Sequence, residues 1–513
     1  MSKIKTFITN HFNLSVFLIL AVVIFSLYGQ SLTFDWTFYD DVVLVLDKQE
    51  YLSFSNIKNI LSNTVFGEGS DQFCRPVLNL TFLCEKYLYG IKPFGYHLTN
   101  IIIHLFAVFS IYLFLSLLYD KKKTLIFCLL FACHPAIVQA VAWVPGRNDS
   151  LLTLFVGLSF YFFVKYIDTN KSGHLFGYLI CFALSLFTKE TAVLVPFFYL
   201  LLLICKGKNI KKIVVNIIIW FLVTALYLLY RKYVLSYQPF SVTIKDLLNN
   251  FISAFPATTK YVANIFFPIK LSVFPSMLQV DYLLCITTIL VFVLLFLKFK
   301  IYNLKFVLFG FSWFFLFLFP TFLMPGNYFY DHRIYLPLAG ILAVVLELTK
   351  TYDNLFSKKF ITVFFSVFFF FSAITIFYEQ KFENKEIFWV NALNISPDSD
   401  IPHAMIAGFL MDNGFYKESE EHLLKAISIK EDSRHYGNLA VLYARMGDLD
   451  KMEEPLLKSL ELSNGNPLTY YNLALLYKYK GDMKKSQEMK DMFIRVFNMT
   501  NKVSKIDYEK LKI

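Results

Sequence analysis

Eleven apolar runs follow one another through the first 377 residues, and they leave little choice of architecture. They are Leu14–Tyr28, His97–Tyr119, Thr124–Val141, Leu151–Ile167, Leu175–Phe187, Thr191–Cys205, Ile213–Tyr230, Tyr282–Leu297, Phe306–Leu323, Ile334–Leu348 and Ile361–Phe377. A hydrocarbon core roughly 30 Å thick takes about 20 helical residues to cross, so several runs are short for it. The series as a whole still predicts an all-α, polytopic membrane protein. Composition agrees: 57% of residues are hydrophobic and 17% charged, where soluble proteins carry about 25% charge.

Basic residues in short loops set orientation. Lys3 and Lys5 precede the first run, and Lys121–Lys123, Lys171, Lys206–Lys212, Lys298–Lys305 and Lys358–Lys359 follow the second, fourth, sixth, eighth and tenth. All fall on one side, which is therefore the cytoplasm, with the N-terminus on it. Arg231 and Lys232 are an exception. The stretch Asp246–Ile269 is interrupted by Asn249, Asn250, Pro256, Lys260 and Asn264, and reads as amphipathic helices on the outer surface. If it crossed the membrane, every later basic loop would flip outward. The first run lacks a small-residue cleavage site and reads as a retained span, not a signal peptide.

The net charge of +11 is that of loop ends that set topology and touch anionic lipid. No nucleic-acid-binding motif accompanies it. Most of the seven cysteines lie in apolar runs, where a thiol is a small buried hydrophobe. Cys74 and Cys84 share one outer loop, so a disulfide there is one option. No Cys/His spacing matches a zinc site.

The same topology puts the polar clusters together on the extracytoplasmic side. These are Asp40-Asp41, Arg75, His134-Pro135 with Gly146-Arg147-Asn148-Asp149, Lys189-Glu190, and Tyr330-Asp331-His332-Arg333. Ionisable groups at membrane depth are costly and mark function. Each could be a solvated helix end by itself; five on one face are harder to dismiss.

From Glu379 the chain turns polar, dividing it into a membrane domain, 1–378, and a tail, 379–513. Gly414, Gly447 and Gly481 recur at about 34 residues, the tetratricopeptide period. Ala407, Ala440 and Ala474 each stand seven residues before them. The units are Asp400–Asp432, Ser433–Asn466 and Pro467–Thr500, with Glu386–Pro397 a leading half-unit. The small alanine lets paired helices approach, and the glycine permits the turn. Such a stack is a binding surface.

The ordered motifs carry a resemblance. Tyr39-Asp40-Asp41, Arg75-Pro76-Val77, Pro93–Asn100 with His104, His134-Pro135 with Val141-Ala142-Trp143, Gly146–Asp149, Thr188–Val193 and Asp331–Pro337 precede the repeats in that order. In this the chain resembles the transmembrane-and-tetratricopeptide-repeat O-mannosyltransferase-like proteins and their bacterial relatives. Two departures stand out: Tyr39 occupies the place of the family's usual tryptophan, and the repeat array is short. The resemblance implies a type-C glycosyltransferase fold of about eleven transmembrane helices followed by an α-solenoid. It also implies a polyprenyl-phosphate sugar donor and an inverting transfer, mannose among the candidate sugars, to a protein Ser/Thr or glycan hydroxyl outside the cytoplasm. The Lys-, Asn- and Phe-rich usage points to an AT-rich, bacterial genome, in which case the repeats are periplasmic.

The residue chemistry meets that requirement. An acceptor hydroxyl needs a carboxylate to take its proton, and Asp40 and Asp41 are the candidates, Asp41 favoured. Adjacent charges can raise one pKa into a useful range. The plain alternative makes one of them the N-cap of a Val42–Leu46 helix. Arg75, Arg147 and Arg333, and Lys189 as a point charge, suit a lipid phosphate. Asp149, Glu190 and Asp331 line the same clusters, unless Lys189-Glu190 and Asp331–Arg333 are internal ion pairs. His97 and His104 share a helix face, as core residues or as donors, and His134 marks a helix break that lines the cavity. No cofactor is called for, with a divalent metal left open. Partners are the lipid-linked donor, an acceptor gathered by the repeats, and membrane lipid. Two rivals are an adaptor with an idle membrane domain, and a transporter, which would place its charges at the midplane in repeated halves.

Overall fold

In the computed structural model, the structure describes residues 12–65, 73–235, 243–254, 256–269, 271–274, 282–296, 303–323, 329–350 and 357–500. The described residues are helical and contain no strand. The chain divides into two compact units, the first reaching Lys385 and the second beginning at Glu386.

All eleven apolar runs are helical over most of their described residues. Six helices are long and apolar enough to cross a membrane: Phe12–Thr33, Pro93–Leu115, Val144–Thr169, Lys211–Val234, Leu304–Leu323 and Lys358–Phe382. Lys121–Ala132 and Pro135–Ala142 form a seventh candidate bent by 60°. The bend falls at His134-Pro135, because proline has no N–H to continue the helix. Shorter apolar helices run Ser172–Thr188, Tyr282–Phe296 and Tyr335–Leu348. Helix starts follow sequence rules: proline opens Pro76–Tyr89 and Pro93–Leu115. Asp120 caps Lys121–Ala132 by accepting from Lys122 N and Lys123 N at 3.1 and 2.9 Å.

The core is aromatic. Phe160, Phe163, Tyr178, Phe198, Tyr199 and Trp313 are buried together, with centroid separations such as 4.7 Å for Phe160–Tyr199 and 5.1 Å for Phe198–Trp313. The helices Leu304–Leu318 and Tyr335–Leu348 cross at glycines. A Cβ on Gly310 would stand 2.6 Å from Gly340 O, so a side chain there would force the pair apart.

Asp246–Ile269 forms two helices, Ile244–Ala254 and Pro256–Phe266, of 11 residues each. Each is about 16 Å long, half of what a bilayer core demands.

The second unit is the repeat stack: Asp400–Asp412 with Tyr416–Ile429, Ser433–Met446 with Glu453–Leu462, and Pro467–Tyr479 with Met483–Thr500. Ala407, Ala440 and Ala474 are all fully buried. Gly414, Gly447 and Gly481 hold φ of 81°, 79° and 79°, the left-handed turn glycine adopts freely. Cys74 and Cys84 are separate thiols, one buried and one exposed.

Candidate active site

The loop after the first span reverses sharply. Phe38 has φ +54°, a left-handed conformation that costs a non-glycine residue about 1–2 kcal/mol. Asp41 holds it. Its Oδ2 accepts from Thr37 N at 2.9 Å and Thr37 Oγ1 at 2.5 Å, and the amides of Phe38 and Tyr39 also face the carboxylate. Asp41 is 1% exposed. It stands at the N-cap position of Val42–Leu46, but its side chain makes no cap bond, and that segment is a π-type turn.

Asp40 differs. Among the described residues its carboxylate makes no hydrogen bond or ion pair, and it is partly exposed. Burial, and then the charge of Asp41, push its pKa up to about 7, with Arg75 opposing. Asp41 is raised to about 6 by burial, moderated by Thr37.

Aromatic rings line the same place. Tyr39 stacks on Trp143 (6.2 Å, 15°), and Trp143 on Tyr330 (6.2 Å, 18°). His332 stacks on Tyr330 at 5.3 Å. Phe274 meets Tyr39 and Tyr330 edge-on.

Cations gather beside this layer. Arg75 Nε and Nη2 donate to Glu190 Oε2 at 3.2 and 3.1 Å, and Glu190 Oε1 accepts from Cys74 N. With its amide oriented to satisfy both ends, Asn148 accepts from Arg75 Nη1 at 2.7 Å and donates to Thr188 O at 3.0 Å. Lys189 Nζ donates to both oxygens of Asp149, at 2.7 and 2.8 Å. Burial lowers the Lys189 pKa, Asp149 partly restores it, and nearby Arg75 and Arg333 lower it further. His332 Nε2 lies 3.8 Å from Asp149. Burial and the same cations push the His332 pKa down, so its ring is neutral. Three cations here, Arg75, Lys189 and Arg333, face two bonded carboxylates, Asp149 and Glu190.

Lys189 and Glu190 are thus not paired with each other. Lys189 is extended (φ −155°, ψ 138°), so the adjacent side chains point apart. Asp331 accepts from Asn264 Nδ2 at 3.0 Å and Ser272 N at 3.4 Å, and burial raises its pKa to about 6. Arg333 lies over the Tyr330 ring at 5.5 Å. The helix Pro256–Phe266 therefore packs against the Asp331 turn, and the Asp246–Ile269 segment does not separate that turn from Asp149 and Lys189.

Other candidates are engaged elsewhere. Arg147 is fully buried and paired with Glu85, and donates to Tyr96 O at 3.0 Å. His104 bonds Tyr335 Oη and Ala132 O. His134 accepts from Ala136 N and donates to Ile265 O at 2.9 Å, which caps the bend. His97 is buried, with its ring edge-on to Phe34 at 6.0 Å. Sequence reasoning passed over Thr37, Gln139 and Asn148 as site residues, and named Trp143 and Tyr330 only as motif members. Gln139 ties His332 to Val273 O. Gln139 carries the signal of polarity inside an apolar run; Thr37, Trp143, Asn148 and Tyr330 lie between runs.

In the repeats, Val441, Leu449, Met452, Leu475 and Tyr479 line a cavity of about 380 Å³.

A multi-pass helical membrane unit with an outlying carboxylate beside a cation cluster, followed by a helical repeat stack, defines the class of protein. Comparison narrows it. The profile of the dolichyl-phosphate-mannose-protein mannosyltransferase family matches residues 80–234, and a tetratricopeptide repeat profile matches 434–466. The first range contains Arg147, Asp149, Lys189 and Glu190, but not Asp40 or Arg333. The human protein O-mannosyl-transferase TMTC3 is 35% identical over 151 residues, 28% of this chain and 16% of the relative. Mouse TMTC2 is 31% identical over 185 residues, 33% and 22%. Human TMTC4 is 39% identical over 116 residues, 19% and 16%. The chain thus spans less than a quarter of the length of these relatives. No solved structure matches. Residues 80–234 are thus similar to the mannosyltransferase family, and residues 434–466 to a tetratricopeptide repeat.

Proposed function

We propose that the chain transfers a sugar, mannose by the relatives' names, from a polyprenyl-phosphate donor to an acceptor hydroxyl, with Asp40 as general base. The acceptor oxygen attacks the anomeric carbon from the face opposite the phosphate. The new C–O bond forms as the sugar–phosphate bond breaks, and the phosphate leaves with that electron pair. The hydroxyl proton passes to Asp40. Arg333, Lys189 and Arg75 stabilise the charge growing on the phosphate. The site faces away from the cytoplasm, as do the repeats, whose grooves gather a protein acceptor.

One observation carries this reading: among the described residues the Asp40 carboxylate makes no hydrogen bond or ion pair, and it lies beside clustered cations, Arg75 nearest. A base must come within about 2.6–3.2 Å of the proton it removes; Asp41 is sealed from an incoming hydroxyl and Asp40 is not.

The test uses purified full-length protein, radiolabelled polyprenyl-phosphate mannose and Ser/Thr peptides. Asp40→Asn is expected to cost about 10²–10⁴-fold in kcat. In the wild type, kcat/KM rises as pH climbs through about 7, because Asp40 must lose its proton to act. Full activity of Asp40→Asn at every pH would remove the base. If that variant also restored a deletion strain's glycoproteome by mass spectrometry, the adaptor reading would replace this one.

A further inference from the structure

We infer that Trp143, Thr37 and Asp41 form a hydrogen-bonded relay whose task is to position Asp40, so that Asp41 is a positioning residue and not a second base. The inference rests on the reading of Asp40 as the base.

The relay has one direction. An indole N–H can only donate, and Trp143 Nε1 donates to Thr37 Oγ1 at 3.0 Å. The single hydroxyl proton of Thr37 is then left for Asp41, whose Oδ2 it reaches at 2.5 Å. The same oxygen takes the Thr37 amide at 2.9 Å. Asp41 is thereby committed as an acceptor, and burial closes it to substrate.

Both chain neighbours of Asp40 are fixed by this arrangement. Asp41 is pinned to Thr37. Tyr39 is stacked on the Trp143 ring, and its hydroxyl lies 3.5 Å from that of Tyr330. Just before Tyr39 the backbone is held in the left-handed turn at Phe38, a conformation that persists only where surroundings enforce it. Among the described residues nothing bonds the Asp40 carboxylate itself, so its position is inherited from its neighbours. Trp143 thus serves twice, through its ring to Tyr39 and through its N–H to Thr37.

Asp41 also acts through its charge. The charged and titratable groups around Asp40 are Asp41 on its own loop, Arg75 before the helix Pro76–Tyr89, and Tyr330 on the Asp331 turn. The anion of Asp41 helps hold the Asp40 proton on.

The experiment follows transfer from radiolabelled polyprenyl-phosphate mannose across pH, using full-length protein checked for monodispersity. Thr37→Val and Trp143→Phe each break one link while keeping volume or ring stacking. Each is expected to lower kcat on the order of tenfold or more, as small misplacements of a reacting group do, with donor KM unchanged. Thr37→Ser keeps the hydroxyl and is expected to restore kcat. Asp41→Asn is expected to stay active, with the acid limb of kcat/KM moved to lower pH, since the charge that raised the Asp40 pKa is gone. Wild-type kcat and pH profile in Thr37→Val and Trp143→Phe overturn the relay, as does an Asp41→Asn that is as inactive as Asp40→Asn. A variant that fails to fold is judged by its partner, because Thr37→Val and Trp143→Phe break different links of one chain. Full activity of Asp40→Asn would instead defeat the base reading itself.

Discussion

The two units of this chain carry their charges in opposite ways. In the repeat stack, the lysine and arginine pairs sit at the surface: Arg445–Asp412 has side chains 45% and 51% exposed, and Lys458–Glu461 35% and 69%, while His435 bonds a buried Asp400. In the membrane unit the pairs of the core and site are interior, with Arg147–Glu85 at 0% and 3% and Lys189–Asp149 at 15% and 5%, while Lys206–Asp168 and Lys350–Glu347 reach its surface. Exposed pairs contribute roughly 0–1 kcal/mol. An interior pair is different: its attraction roughly offsets its desolvation, yet breaking one partner leaves a buried charge stranded. The repeats are therefore held mainly by apolar packing and turn geometry, while the core of the membrane unit depends on its interior charges keeping their partners.

Arg147–Glu85 offers the harshest test of that contrast. Glu85→Leu strands a fully buried guanidinium that also lies 4.6 Å over the Phe82 ring. It is expected to destabilise by about 3–5 kcal/mol, seen as a fall in the melting temperature of the solubilised full-length protein. Adding Arg147→Met removes the stranded charge and is expected to recover most of the loss. The double variant should also keep sugar transfer, because Arg147 is committed to Glu85 and not to the cluster at Lys189. A single variant that melts like the wild type would erase the distinction between the two units.

In the repeats the largest single effect should come from a turn. Gly447 holds φ +79° with open space around its Cα, so Gly447→Ala is costly through backbone strain and not through a clash. About 1 kcal/mol is expected, read by hydrogen exchange as faster opening of Ser433–Met446 and Glu453–Leu462. A loss as large as that of Glu85→Leu would mean the stack is as brittle as the membrane unit.

The same contrast explains what the sequence revealed. The eleven helical runs, the bend at His134-Pro135, the turn glycines and the buried alanines were legible because each is a local pattern, with period 3.6 or about 34 or a proline break. The pairings of the site were not. Lys189 finds Asp149 across 40 residues and Arg75 finds Glu190 across 115, and no local rule selects those partners. Lys189-Glu190 looked able to pair internally, and only the extended backbone at Lys189 sends the two side chains to different helices. By residue type Asp40 and Asp41 are alike, and the sequence alone favours Asp41 as the base where the proposal takes Asp40. What separates them is the fold-back onto Thr37, which needs a left-handed Phe38 that no residue type announces.

The smallest effect is expected at Arg445. Its bond to Asp412 is short, 2.9 Å, but both side chains are half in water, where ordering two long side chains and salt screening take back most of the attraction. The interaction also fails to recur: one repeat later the equivalent positions hold Arg445 itself and Tyr479. The bonds that do recur lie deeper. Tyr443 Oη donates to Glu420 and Tyr477 Oη to Glu453, at 2.7 and 3.0 Å. Ser419 and Ser486 each donate to the carbonyl of a buried alanine, Ala407 and Ala474, at 2.8 Å. A stack of equivalent units is stabilised by what each unit repeats with its neighbour. Arg445→Ala is therefore expected to change the opening free energy of Ser433–Met446 by less than about 1 kcal/mol, with the difference vanishing at high salt. Exchange protection that falls as far as in Gly447→Ala, and stays low in salt, would show that a surface pair can matter in this unit as an interior pair does in the other.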